Sequence, residues 1–327
     1  AAYNRRMPND QTLPAPAVIR RTDCRPPDWL VPEVALDFRL DADRTEVTAR
    51  LTVTRNGAHG RPLMLDGEAL ELLSVAVDGE ALPSEVWPKG DGPLMIALTG
   101  ERHVVETRVA IAPARNSELM GLYASGGLLC TQCEAEGFRR ITYFPDRPDI
   151  LSRYSVRMEA DKALYPVLLS NGDPVAAGES EGGRHWAEWN DPFPKPCYLF
   201  ALVAGSLACI ADTFTTMSGR EVKLGIWVRE QDLPRTAHAM TALRNSMTWD
   251  ERTYGREYDL DVFNIVAVAD FNFGAMENKG LNVFNSRYIL VDPETATDFD
   301  YDAVEGVVAH EYFHNWTGNR ITCRDWF

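Results

Sequence analysis

Nothing in the 327 residues approaches eighteen uninterrupted apolar positions, so no stretch reads as a membrane-spanning helix. The opening Ala1-Ala2-Tyr3-Asn4-Arg5-Arg6-Met7-Pro8 has basic residues but no apolar run behind them, and no export segment is expected. Positive charge is also scarce: 33 Lys and Arg against 48 Asp and Glu leave a net charge of −15. Such a surface repels nucleic acid and anionic membranes, so neither is expected as a partner, while a cationic ligand is compatible. Six cysteines at irregular spacing do not form the disulfide framework of a small secreted domain, and a reducing cytoplasm is the expected location. Histidine is equally rare, with six in the chain. Where those few stand is therefore informative.

Two of them fall in Val307-Val308-Ala309-His310-Glu311-Tyr312-Phe313-His314-Asn315-Trp316. Residues four apart on an α-helix lie roughly 40° apart on one face, so His310 and His314 can each give one metal ion an imidazole. Glu311 lies about 100° round from His310, on an arc shared with Val304, Val307 and Val308. The expectation is a helix aiming two imidazoles and a carboxylate inward over an apolar bed. Two neutral nitrogens holding Zn²⁺, with an unligated Glu beside a water made acidic by the ion, is the geometry of a zinc hydrolase. A catalytic zinc needs a third protein ligand, and only thirteen residues follow His314.

The length suggests two domains. Residues 1–28, rich in Pro, Arg and Asp, read as an extended lead-in. From Val34 the pattern becomes strict alternation: Val34, Leu36, Phe38 and Leu40, then Val47, Ala49, Leu51 and Val53 beyond the polar turn 41–44, a β-hairpin. Similar short runs at 70–77, 104–111, 154–160, 166–169 and 184–189 predict an antiparallel β sandwich or saddle over 29–206. Past the proline-dense Asp191-Pro192-Phe193-Pro194-Lys195-Pro196 the character changes, and 207–327 reads as an α+β domain. Its expected elements are a strand at 222–228, a helix carrying Ala237, Met240, Leu243 and Met247, and a strand at 262–269 buried on both faces. Strands at 281–284 and 288–291 follow, and Thr297 or Asp298 is the expected cap of the histidine-bearing helix.

Two further stretches are unusual. Phe273-Gly274-Ala275-Met276-Glu277-Asn278-Lys279-Gly280 has glycine on both sides of a short strand-like run. It fits an edge strand able to pair with an extended peptide, and equally an ordinary glycine-bounded turn with a solvated Glu. In Leu128-Leu129-Cys130-Thr131-Gln132-Cys133-Glu134 a lone CxxC has neither a second pair nor a thioredoxin-like βαβ setting, so Cys130 and Cys133 are expected to be structural.

Gly274-Ala275-Met276-Glu277-Asn278 followed by His310-Glu311-Tyr312-Phe313-His314-Asn315-Trp316 resembles the aminopeptidase N family of zinc metallopeptidases, of the gluzincin type. The likeness runs from about residue 30 to the end. Residues 131–139 and 191–197 resemble its bacterial cytosolic branch. The resemblance implies a saddle-shaped β domain followed by a thermolysin-like α+β catalytic domain, truncated here. It implies one Zn²⁺ on His310 and His314, and Glu311 as general base. Glu277, Glu134 and Gln132 would hold the free α-amine of a peptide substrate. Gly274, Ala275, Met276 and Asn278 would complete the substrate-binding strand, and Phe273 would line the pocket for the first side chain. The family continues for eighteen residues beyond the second His to a Glu that completes the metal site, and later supplies a Tyr for the oxyanion. Neither lies in this sequence, so the segment alone is expected to hold zinc weakly and to be nearly inactive, and to be a monomer. The alternatives are a thermolysin-like endopeptidase, which has no use for amine-binding carboxylates, and a non-catalytic peptide-binding scaffold, in which one of the two motifs would be lost. An unrelated β-rich binding module would need the histidine motif to be accidental.

Overall fold

In the computed structural model, residue 18 and residues 20–327 are described, so most of the expected lead-in, residues 1–17 and 19, lies outside the described residues. The hairpin forms as its alternation predicts. Strands Trp29–Arg39 and Thr45–Arg55 pair antiparallel with Val34 opposite Leu51, Leu36 opposite Ala49 and Phe38 opposite Val47, so both apolar sets share one buried face. In the turn, the Asp41 carboxylate accepts the backbone N–H groups of Asp43 at 2.8 Å and Arg44 at 3.2 Å, which stabilises the reversal.

The hairpin lies inside an eight-stranded sheet whose spatial order is 173–179, 184–195, 152–161, 29–39, 45–55, 102–111, 71–77 and 80–81. Only the pair 29–39 with 152–161 is parallel; the others are antiparallel. A four-stranded antiparallel sheet, in the order 167–170, 202–205, 128–132 and 121–125, packs against it. Phe38, Phe138, Tyr154 and Phe200 meet between the layers, with ring centroids 5.3 to 6.2 Å apart. Strand Leu128–Gln132 is buried at every residue, and its end delivers Gln132, Cys133 and Glu134 to the edge of the β domain.

The next strand, Ala208–Thr215, opens a five-stranded sheet ordered 208–215, 221–228, 262–268, 281–285 and 275–276. Strand Val262–Val268 runs parallel to both neighbours, which explains its largely apolar sequence; the one polar residue in it, Asn264, is buried with its Oδ1 accepting from Trp227 Nε1 at 2.8 Å. Alternation along it serves two cores: Val266 and Val268 face the β domain, whereas Phe263, Ile265 and Ala267 face the helices. Helix α1, Ala237–Tyr254, buries Met240, Leu243 and Met247 on that second side, and helix α2, Asp298–Phe313, packs beside it. Thr297 is the N-cap, with its N–H and hydroxyl donating to the Asp300 carboxylate at 2.8 and 2.7 Å. Among the described residues no helix is long and apolar enough to cross a membrane.

One expected strand is absent. Ser286–Tyr288 form a 3-10 turn because the Asn285 side chain accepts the Arg287 N–H at 3.0 Å and bends the chain out of the ladder. Ile289, Leu290 and Val291 are buried by packing rather than by strand pairing. Their apolar run was a core signal, which periodicity alone cannot distinguish from a short strand.

Candidate active site

Helix α2 presents its last turn where the edge of the five-stranded sheet meets the end of strand 128–132. Val304, Val308 and Tyr312 anchor it in the helix-side core, and Glu311 joins that buried face at 7% exposure. The two imidazoles do not. His310 is exposed and His314 half-buried, so the expectation of an inward-facing pair is corrected: the helix buries the arc of Val304, Val308, Glu311 and Tyr312 and leaves the histidine edge open.

The rings nevertheless converge. Their Nε2 atoms are 3.1 Å apart and the ring planes stand at 88°. Two zinc–nitrogen bonds of roughly 2.0–2.1 Å at a tetrahedral angle would place the nitrogens about 3.3 Å apart, so one zinc fits between them. The His314 Nδ1–H donates to the Thr317 carbonyl at 2.8 Å, and since a carbonyl can only accept, Nε2 keeps its lone pair for a metal. That bond depends on Gly318, whose φ is +137° and where a Cβ would lie 2.8 Å from His314 Nδ1. The Tyr198 hydroxyl, from the β domain, reaches Thr322 Oγ1 at 2.9 Å and the Gly318 carbonyl at 3.3 Å and holds the same turn.

Three carboxylates surround this edge. Ligand atoms of Glu277, Glu311 and His314 all lie within 4.8 Å of one another. Burial, followed by the neighbouring Glu277 and Glu134 charges, pushes the Glu311 carboxyl up to about 8. Glu134 is likewise raised, by burial first and by Glu277 second, and is lowered by His314. The backbone carbonyls of Glu134 and Glu277 accept hydrogen bonds from Gln132 Nε2 at 3.3 Å and from Asn319 Nδ2 at 3.0 Å, respectively. Among the described residues Gln132 Oε1 is buried without a partner, a further acceptor beside Glu134. A cluster of acceptors and like charges of this kind suits cationic groups: a metal at the imidazoles and a second cation between Glu134 and Glu277.

Ala275–Met276 is the outermost strand of its sheet, paired antiparallel only with 281–285, so an edge strand forms rather than a glycine-bounded turn. Gly274 precedes it with its carbonyl accepting the Asn285 N–H at 3.0 Å, and Met276 and Asn278 are buried behind it. Phe273 is 44% exposed and packs edge-on against Phe271, on the approach to the strand. Cys130 and Cys133 are free, buried thiols. Burial pushes Cys130 up to about 12, and burial with the Asp146 charge raises Cys133 well above an ordinary thiol, so neither is poised to react.

Residues 33–199 match the Peptidase M1 N-terminal domain and residues 238–327 the Peptidase family M1 domain. The chain belongs to peptidase family M1. It is 59% identical over 312 residues to aminopeptidase N of Caulobacter vibrioides, covering 95% of this chain and 36% of that protein. Aminopeptidase N of Escherichia coli is 57% identical over 307 residues, covering 94% of this chain and 35% of its own length. Among solved structures, Legionella pneumophila aminopeptidase A in complex with aspartic acid superposes with a TM-score of 0.89 at 37% identity, over 93% of this chain and 36% of that one. The chain thus spans about a third of the length of the relatives it matches. The M1 fold accounts for both halves seen here: a β-sheet N-terminal domain, then the start of the catalytic domain.

Sequence reasoning had not singled out Thr317, Gly318, Asn319, Asn315, Lys279 or Asp259, although each contacts or braces the site. The one available signal was the Gly318-Asn319 pair just past α2, which reads as a turn.

Proposed function

We propose that the protein containing this chain is a zinc-dependent aminopeptidase that releases N-terminal residues from peptides. The observation that carries the reading is the meeting of two metal-type imidazoles with three carboxylates, of which a hydrolytic centre needs only Glu311. The surplus pair, Glu134 from the β domain and Glu277 beside the edge strand, suits the terminal ammonium of a peptide, and with Gln132 would place the first peptide bond at the metal.

His310 and His314 would hold the zinc through Nε2. When bound, the ion supplies Lewis acidity towards a carbonyl and lowers the pKa of a water. Glu311 would take the water's proton and pass it to the leaving amine, a role suited to its buried position beside His314. The backbone of Gly274, Ala275 and Met276 would pair with the substrate as an added strand, with Asn278 behind it, and Phe273 would meet the first side chain. The 327-residue segment on its own would hold zinc weakly, through two imidazoles at an exposed edge, and would be nearly inactive.

This reading is tested on the whole protein by comparing a free aminoacyl anilide with its N-acetylated form, before and after zinc removal by a chelator. Hydrolysis confined to the free amine and restored by zinc is expected. Equal hydrolysis of both would favour a thermolysin-like endopeptidase instead.

A further inference from the structure

Amine recognition in this site needs three parts held at fixed separations: Glu134 on the β domain, Glu277 beside the edge strand, and the imidazoles on α2. No covalent link shorter than 30 residues joins any two of them, so non-covalent ties must set the spacing. One residue reaches all three parts. Lys279 is 1% exposed and two residues beyond Glu277. Its ammonium donates to Asp259 and, at 2.6 Å, to Asn315 Oδ1, one residue past His314. Its backbone carbonyl accepts from Asn171 Nδ2 at 2.9 Å, and Asn171 is itself built into the β domain through the Leu199 carbonyl at 3.0 Å and the Ala201 N–H at 2.7 Å.

The surroundings reinforce the tie. Arg320 Nη1 reaches the other oxygen of Asp259 at 2.5 Å, so a single carboxylate draws together the edge-strand segment and the turn after α2. From that turn Asn319 Nδ2 donates to the Glu277 carbonyl at 3.0 Å. Phe193 and Tyr258 rings lie 5.3 and 5.5 Å from the Lys279 ammonium. Gly280 adopts a φ of +75°, where a Cβ would stand 3.0 Å from Leu260 and 3.2 Å from the Gly172 nitrogen, so the chain can reverse there only without a side chain. A buried ammonium is costly unless its partners are well placed, and loss of one partner is strongly destabilising, so this cluster has few alternative arrangements.

We propose that Lys279 is a positioning residue: through Asp259, Asn315 and Asn171 it sets the distance between the amine-binding carboxylates and the metal-binding histidines. It touches neither substrate nor metal, and the inference rests on the aminopeptidase reading. The ties make the register of the first peptide bond on the metal depend on one buried residue, whose ammonium holds Asp259 and the end of α2 and whose carbonyl holds the β domain.

Two measurements test it. In the whole protein at the length of its relatives, freed of metal, Lys279→Met should speed amide hydrogen exchange at 274–281 by tenfold or more while strands 222–228 and 262–268 stay within twofold. Unchanged exchange at 274–281, or equal acceleration of all strands, overturns the inference. In the whole zinc-loaded protein at the length of its relatives, leucine hydroxamate should inhibit more tightly than 4-methylpentanohydroxamate, which keeps the side chain and lacks only the amine. Lys279→Met should cut that preference tenfold or more at unchanged zinc content and unchanged 4-methylpentanohydroxamate inhibition, and Lys279→Arg should retain most of it. A Lys279→Met protein that keeps the preference refutes the positioning role. A native protein with no preference refutes the aminopeptidase reading, while the exchange result still decides the tie. If Lys279→Met does not fold, Asn315→Ala removes the acceptor that ties the Lys279 ammonium to the end of α2 and is read by the same two criteria.

Discussion

Replacing Glu277 with Gln in the whole enzyme tests the amine site most directly, because the side chain keeps its shape and loses only charge. Glu277 has ligand atoms within 4.8 Å of those of Glu311 and His314, and is close enough to Glu134 to raise its carboxyl. An ammonium about 4 Å from one carboxylate is attracted by roughly 4 kcal/mol at an effective dielectric of 20. Much of that is offset by desolvation, and a hydrogen bond to a charged group contributes a net of about 1.5–3 kcal/mol. At 1.4 kcal/mol per decade, kcat/KM for a free aminoacyl anilide should fall by about 10- to 150-fold. A second effect follows from the same charge. Glu277 is the largest contributor after burial to the raised Glu311 carboxyl, so its removal lowers that pKa and moves the acid limb of the pH–rate profile to lower pH. The assay is a pH series of kcat/KM on free and N-acetylated anilides with zinc content measured in parallel. An unchanged free-over-acetylated ratio, with the acid limb in place, would refute the reasoning.

Glu311→Gln should lower kcat by about 10²–10⁴-fold while metal analysis shows zinc retained; near-normal turnover would remove it as the base. Gly318→Ala forces a side chain into a φ of +137° against the His314 ring, so the melting temperature should drop by an amount matching about 1–3 kcal/mol and zinc affinity should weaken. Undiminished zinc affinity in that variant would show that the Thr317 turn does not orient His314. Val308→Ala removes two buried methyl groups beneath the motif and should cost about 2 kcal/mol in denaturant unfolding, with the free-amine preference intact. A lost preference there would mean that the site depends on core packing more than on its polar ties.

Local pattern carried far in this chain. The two-residue period at 34–40 and 47–53 defined a hairpin and its buried face, because a strand has only two sides. The apolar run at 262–269, interrupted only by Asn264, announced burial on both faces, and the four-residue spacing of His310 and His314 announced converging nitrogens, which stand 3.1 Å apart. Both follow from backbone geometry within a single element. Where an apolar run lacked period, as at 288–291, sequence could not separate a strand from irregular core, and the capping carboxamide of Asn285 decided it.

Tertiary structure alone decided what no periodicity encodes. It placed Glu134 and Glu277, 143 positions apart, within mutual influence of Glu311, and it left the histidine edge of α2 open instead of buried. It also put Asp259, Lys279, Asn315 and Arg320 into one cluster beneath the site. Sequence determines which face each element must bury, since that depends on neighbours three or four positions away. The distances between charges on different elements depend on how those faces pack together, and each Lys, Asp or Asn of the cluster reads singly as a solvated polar residue.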